Sequence, residues 1–194
     1  AVPSGNYGNL VAGLYAWKFS LPVNGFVTDA TSGLSCDARG NCLFMDSLVP
    51  LAERGPADPA VPSNLERLEQ IFELNPLMLR GLVYPSEVDR KLVPDLMLDA
   101  YRKYGVFIDS DTAMAYGAIS SAGERIDFDE GSVILVSKDH PAFEANRIKR
   151  SCGIAVKIPE YMAGFNEPVS GVPLIPAESA RLRSILDECA FSGD

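Results

Sequence analysis

Ser132-Val133-Ile134-Leu135-Val136-Ser137 sets four consecutive aliphatic residues between two serines, with no charge among them. A half-exposed strand would alternate apolar and polar side chains. A continuous apolar run instead suits a strand buried on both faces, as in a parallel sheet. The stretch from Asp139 to Gly153 fits a crossover. Asp139 is placed to cap a helix, Pro141 suits its first turn, and Gly153 supplies a stop. Ile154-Ala155-Val156-Lys157-Ile158 then reads as the next strand.

The same alternation extends upstream. Gly8 to Phe19 predicts a helix with little polar face, since Leu10, Val11, Leu14, Tyr15 and Trp17 surround it, and burial on more than one side is expected. Gly25 to Ala30 suits a short strand. Ser63-Asn64-Leu65-Glu66 forms a capping box, and the helix it opens runs to about Leu74 with Leu65, Leu68, Ile71 and Phe72 on one side. Ser86 and Asp89 open another helical region, restarted at Pro94 and stopped at Gly105. Val106-Phe107-Ile108 is a strand candidate, followed by a helix over Thr112–Ser120. Pro176 to Cys189 forms a last amphipathic helix with Leu182, Ile185 and Leu186 inward. Strands alternating with helices predict an α/β fold: a three-layer, Rossmann-like parallel sheet with helices on both faces. Residues 1–194 are expected to form one domain, with residues 31–62 as a long loop excursion holding at most one short element around Cys42–Met45.

Composition narrows the function. The chain has 194 residues, 47% hydrophobic and 22% charged, an ordinary globular balance. A net charge of -9 with scattered basic residues argues against a nucleic-acid partner, which needs concentrated positive surface. No apolar run approaches the ~20 residues of a membrane span, and no basic-then-apolar leader opens the chain. Four cysteines without CxxC spacing and a single histidine, His140, argue against a metal site. Free thiols in a reducing cytoplasm are the expectation, with a Cys36–Cys42 bridge left open.

Ser4-Gly5-Asn6-Tyr7-Gly8-Asn9 stands directly before the first helix. Glycines let a backbone approach a ligand closely and adopt positive φ. First-turn amides and the helix dipole favour an anion, and Ser4 and the asparagines add side-chain donors. Taken alone, Ser-Gly-Asn is also an ordinary turn and helix cap.

In context, Val2-Pro3-Ser4-Gly5-Asn6-Tyr7-Gly8-Asn9-Leu10-Val11-Ala12-Gly13-Leu14 closely resembles the cofactor-phosphate loop of threonine synthases, VPSGNFGN-L-x-AGL. Leu21-Pro22-Val23 comes next, at the family's place. Pro62-Ser63-Asn64-Leu65-Glu66-Arg67 resembles its PSNFER segment, Asp109-Ser110-Asp111-Thr112-Ala113 a variant of DPHTA, and His140-Pro141-Ala142 with Phe143 its TAHPAKF segment. These motifs occur in the family's order across essentially the whole chain, which looks like the C-terminal part of such an enzyme.

The resemblance implies a fold-type-II enzyme dependent on pyridoxal 5'-phosphate, of the kind that converts O-phosphohomoserine to threonine and phosphate. By that resemblance Ser4, Gly5, Asn6, Tyr7, Gly8 and Asn9 hold the cofactor phosphate, and Asn64 and Arg67 lie near a small phosphorylated amino-acid substrate. Each of the last two has a plainer reading: Asn64 as a helix cap, Arg67 as a solvated helix position. Where the family has a threonine hydroxyl partnering the pyridine nitrogen, this chain has Lys138, with Ser137 next door able to supply the hydroxyl if the register slips by one. Asp111 replaces the family's histidine. The family's Schiff-base lysine lies upstream of the phosphate loop, and Lys18, Lys91, Lys103, Lys138, Lys149 and Lys157 all lack its context, so no catalytic residue is assigned within the chain. The missing N-terminal segment of the same enzyme is thus an expected partner, in the cytoplasm, with oligomerisation open.

Two other classes compete. A non-catalytic small-anion domain would use the same loop and need no lysine. A degenerate paralogue would keep the fold and use the loop only as a cap. A hydrolase built on Ser4, His140 and a carboxylate lacks the G-x-S-x-G elbow.

Overall fold

Phe26-Val27-Thr28-Asp29 forms β1 (Phe26–Asp29), buried along its whole length and placed at the middle of the sheet. This computed structural model describes residues 1–30, 34–37, 39, 42–44, 64–71, 76–123, 126, 131–166, 171 and 178–191. It divides into a larger unit, Ala1–Ile158, and a smaller one, Pro159–Asp194.

In the larger unit β1 runs parallel to β4 (Val83–Ser86), in register from Phe26↔Val83 to Asp29↔Ser86. On its other side Val2 bridges Thr28 in parallel and donates its amide to the Val27 carbonyl at 2.9 Å. Ala1 then reaches the next neighbour. Its amino group donates to the Ile134 carbonyl at 2.7 Å, and its own carbonyl accepts the Val136 amide at 2.9 Å. One residue bonded to partners two apart is the parallel pattern. The order is therefore 134–136, 1–2, β1, β4, with all four segments running the same way.

Side chains alternate across this sheet as the pleat requires. Phe26 and Val83 join a cluster with Leu10, Val11 and Leu14 of α1 (Gly8–Lys18) and Leu68 and Ile71 of α2 (Leu65–Ile71). Val27 packs with Ala118 and Ala122 of α5 (Ser110–Ala122) in a different cluster. Helices thus cover both faces, giving the three-layer α/β arrangement expected. Beyond α5, a third cluster joins Val93, Met97 and Ala100 of α4 (Val93–Tyr104) to Ala113, Met114 and Ile148, the last from α6 (Ala145–Cys152). A short helix α3 (Pro76–Leu82) feeds β4 directly.

Several local expectations are corrected. The Ser132–Ser137 run is extended and pairs with Ala1, yet Val133, Ile134 and Val136 are exposed rather than buried. Its apolar character reports the environment such a strand prefers, and the described residues do not supply that cover. Val106–Ile108 and Ile154–Ile158 form no strand. The first is spent turning from α4 to α5, where Phe107 stacks on Tyr101 with ring centroids 4.6 Å apart. In the second only Val156 packs on the α4–α5–α6 cluster, while Ile154 and Ile158 stay exposed. α1 is buried on one face only, since Tyr15 and Phe19 are exposed.

β4 itself goes unforeseen, because Pro85 interrupts a four-residue run and Ser86 reads as a helix start. The helix expected there begins instead as a short 3-10 turn, Arg90–Leu92, capped by Asp89, with Pro94 in the first turn of α4 and Gly105 ending it at φ 70. Among the described residues of 31–62 there are two strands, β2 (Leu34–Cys36) and β3 (Cys42–Phe44), paired antiparallel, rather than at most one element. Ser63, Phe72, Leu74 and Pro176 lie outside the described residues. The smaller unit contains a 3-10 segment, Glu160–Asn166, and α7 (Ser179–Phe191), in which Leu182 and Leu186 are exposed rather than inward. Among the described residues no helix is long and apolar enough to cross a membrane.

Gly13 shows how closely α1 sits on the sheet: a Cβ there would fall 2.5 Å from the Phe26 ring. Helix propensity alone favours Ala over Gly by about 1 kcal/mol. Overpacking a core costs about 1–3 kcal/mol, and here it should win. Gly13→Ala is expected to lower stability to urea, where a solvated helix glycine would gain; an unchanged or raised midpoint would refute the contact.

Candidate functional site

Every strand of the parallel array points its carboxyl end to the same edge, the edge at which α/β sheets bind ligands. There the chain leaves Val2-Pro3 and turns sharply into α1. Ser4 is 1% exposed, and its amide donates to Asp29 Oδ1 at 2.9 Å, tying the loop to the end of β1. The Tyr7 amide closes the turn onto the Ser4 carbonyl. Gly5 (φ 32) and Tyr7 (φ 58) both adopt positive φ. For Gly5 that is free of a Cβ penalty, but for Tyr7, whose side chain is wholly buried, it is strain held by surrounding structure, a condition that clusters at ligand sites.

Tyr7 is also the residue capping α1, and it supplies no side-chain acceptor to the first turn. No acidic residue lies in that turn either. Within that turn the positive end of the helix dipole meets no acidic side chain. Ser4 Oγ points the same way: among the described residues it is the one buried side-chain oxygen with no hydrogen-bond partner. A buried hydroxyl without a partner carries a desolvation penalty, so its presence beside an uncapped helix start favours a ligand oxygen.

The structure brings two other expected residues to this loop. Asn64 Nδ2 donates to the Asn6 carbonyl at 3.0 Å, and Arg67 Nη1 donates to Asn64 Oδ1 at 3.2 Å. Asn64 therefore clamps the loop from the start of α2. Arg67 is exposed beside it, with further guanidinium donors in the planar fork that suits carboxylate or phosphate. Asn9 lies in the first turn of α1.

A second knot forms where the chain leaves residues 134–136. Asp109, 1% exposed, caps α5: Oδ1 accepts the Asp111 and Thr112 amides at 3.0 Å each, and Oδ2 accepts the Thr112 hydroxyl and, at 3.2 Å, the Asp139 amide. Thr112 Oγ1 accepts the Lys138 amide at 3.0 Å. Glu144 adds another clasp, accepting from the Ser110 amide at 3.2 Å and hydroxyl at 2.5 Å. The Asp109–Ala113 and His140–Phe143 motifs, far apart in sequence, are thereby fastened together.

Lys138 Nζ meets Asp111 Oδ2 at 2.5 Å, with Asp139 Oδ2 at 3.9 Å. The hydrogen bond that Lys138 donates to Asp111 pushes the Lys138 pKa up, so its amine stays charged through the neutral range. It is not a free nucleophile there. Ser137 is exposed, its hydroxyl donating weakly to the Asp139 carbonyl at 3.3 Å. His140 rather than Asp139 caps the next turn, its Nδ1 accepting the Ala142 amide at 3.1 Å. The Asp139 amide donates to Asp109, and its carboxylate lies 3.9 Å from Lys138 Nζ. Asp29 and Asp109 are the residues that sequence reasoning missed as organisers. Asp109 sits in the N-cap position before Asp111 and Thr112, a legible signal; the 25-residue separation of Asp29 from Ser4 carries none. Among the described residues no group of His, Cys, Asp and Glu is placed to hold a metal ion.

The fold and loop define a class: a parallel α/β protein with a glycine-containing loop and a helix start at the carboxyl ends of its strands. No protein-family model matches the chain. Along nearly its whole length, however, it is similar to threonine synthases. It is 28% identical to the enzyme of Haemophilus influenzae and 27% to that of Escherichia coli, each alignment covering 96% of this chain but only 43% and 42% of the relative. The fold is shared with the crystal structure of threonine synthase from Escherichia coli, at TM-score 0.65 and 22% identity over 97% of this chain and 43% of that one. It is also shared with a structure of PLP-bound threonine synthase from Brucella melitensis, at TM-score 0.51 and 18% identity over 83% and 39%. The chain spans about two fifths of the length of the curated relatives it matches.

Asp109 and Lys138 should separate sharply on mutation. Asp109→Ala strips a buried cap of several donors and is expected to cost about 3 kcal/mol. Lys138→Met breaks a 42%-exposed ion pair and is expected to cost under about 1 kcal/mol. Chemical denaturation of both variants checks the ranking, and equal losses would overturn the assignment of Asp109 as the hub.

Proposed function

We propose that this chain carries the phosphate-holding part of a pyridoxal-5'-phosphate site in a threonine-synthase-like lyase acting on a small phosphorylated amino acid such as O-phosphohomoserine. The observation that carries the reading is the unpartnered, buried Ser4 hydroxyl beside the uncapped start of α1. The residues present fit the cofactor's phosphate: the amides of Gly5, Asn6 and Gly8 and the Ser4 hydroxyl would hold it, with Asn9 in the same first turn, while the Tyr7 amide, spent on the Ser4 carbonyl, would shape the loop around it. When bound, the cofactor supplies an electron sink for carbanion chemistry at the substrate.

The chain's own residues would do the positioning. Asn64 holds the Asn6 carbonyl and so the loop's shape, and Arg67 offers its fork to a substrate carboxylate or phosphate. Ser137 is the better candidate of the two neighbours for a hydroxyl toward the pyridine nitrogen. Lys138 is committed to Asp111 and would repel a protonated ring. The amine that bonds the cofactor would come from polypeptide outside residues 1–194, as the family resemblance implies, and a cytoplasmic setting suits these metabolites.

The non-catalytic anion-binding reading keeps one specific support: the Lys138–Asp111 pair stands where the family has a ring partner and a histidine. Both readings require phosphate to bind the same loop. Phosphate titration of Ser4→Ala by calorimetry tests this. Removing an unpartnered hydroxyl should leave stability nearly unchanged while weakening phosphate about tenfold, a loss of about 1.4 kcal/mol. Unchanged affinity in a folded variant would refute the site. Pyridoxal phosphate binding well above inorganic phosphate in affinity would favour the cofactor reading, and equal affinities would favour the anion-binding one.

A further inference from the structure

Cys36 and Cys42 are the last and first residues of β2 and β3 and face each other across the antiparallel hairpin as direct partners. Antiparallel partners project to the same face, with Cα atoms about 4.5–5.5 Å apart in either kind of pair. A disulfide needs about 4.4–6.8 Å between Cα atoms, so the backbone already stands at bonding distance. Both thiols are free. They differ in access: Cys42 is 2% exposed, and Cys36 is half-buried. Burial, with the neighbouring Cys36 adding to it, pushes the Cys42 thiol up to about 12, whereas Arg80 pulls the other way. Cys42 is thereby poorly suited to initiate chemistry, and Cys36 is the entry point.

We infer that the β2–β3 hairpin is a thiol–disulfide switch, oxidised by small disulfides through Cys36 and closed by Cys42. The Cys36 thiolate attacks one sulfur of a low-molecular-weight disulfide and releases one thiolate, leaving a mixed disulfide on Cys36. Cys42 then gives up its proton to solvent, and its sulfur attacks Cys36 Sγ, displacing the second small thiolate. One protein disulfide forms, and one small disulfide is reduced to two thiols, so electrons balance without a metal or oxygen. In a reducing cytoplasm the pair rests as thiols, and such bonds are transient and sensing rather than structural. The inference rests on the hairpin alone and is independent of the cofactor reading.

The test is oxidation of the full chain with glutathione disulfide, followed by intact mass and non-reducing peptide mapping. The expected product has lost two hydrogens and contains a Cys36–Cys42 cross-link that dithiothreitol reverses. Cys42→Ser should instead stop at a stable glutathione adduct on Cys36, and Cys36→Ser should lose the cross-link and most of the reaction. A wild-type chain that accumulates the Cys36 adduct without closing it, or cross-links Cys152 or Cys189 in preference, would overturn the proposal. Circular dichroism of each serine variant separates loss of pairing from loss of fold.

Discussion

Two residues, Ala1 and Val2, hold the parallel array together by bonding on both sides at once. Val2 lies against β1, and Ala1 lies against residues 134–136. The strands on either side are separated by more than a hundred residues of chain, so this rung joins parts that local folding would not. It also fixes where the turn at Ser4 emerges. With Val2 registered on Thr28, the Ser4 amide falls against the Asp29 carboxylate, and the start of α1 is aimed along the strand ends. Parallel pairing therefore decides the site's location before any side chain in it is considered.

The side chains then divide the labour between two buried carboxylates. Asp29 secures the Ser4 loop at the carboxyl ends of the strands, and Asp109 secures the α5 start together with the chain leaving residues 134–136. Neither is exposed enough to act on a ligand, and both satisfy backbone amides that would otherwise be stranded. Among the described residues Ser4 Oγ has no partner, and the first turn of α1 has neither a side-chain cap nor an acidic residue. Rigid anchoring and open donors lie side by side in six residues.

How much of this was legible depends on the range of the signal. The Ser4–Asn9 loop, the Gly105 and Gly153 stops and the Pro141 turn are local features, governed by φ and capping, and each stands where its chemistry predicts. The α/β class followed from alternating periods. Burial was less legible, because an apolar run such as Val133–Val136 states what environment a strand suits and not whether neighbouring chain provides it. β4 was hidden by Pro85, whose missing amide argues against a strand unless its neighbour leaves that rung free. The two buried carboxylates act over long separations, and only Asp109 leaves a short-range trace.

The contact between Lys138 and Asp111 changes what the departures from the threonine synthase pattern signify. Each replaces a residue of different charge and shape, and alignment by position scores two independent losses. In space the two charges neutralise each other at the mouth of one knot. Asp111 alone would be a further carboxylate beside Asp109 and Asp139, and Lys138 supplies the cation that answers it. The two departures are therefore one electrostatic arrangement rather than two separate losses.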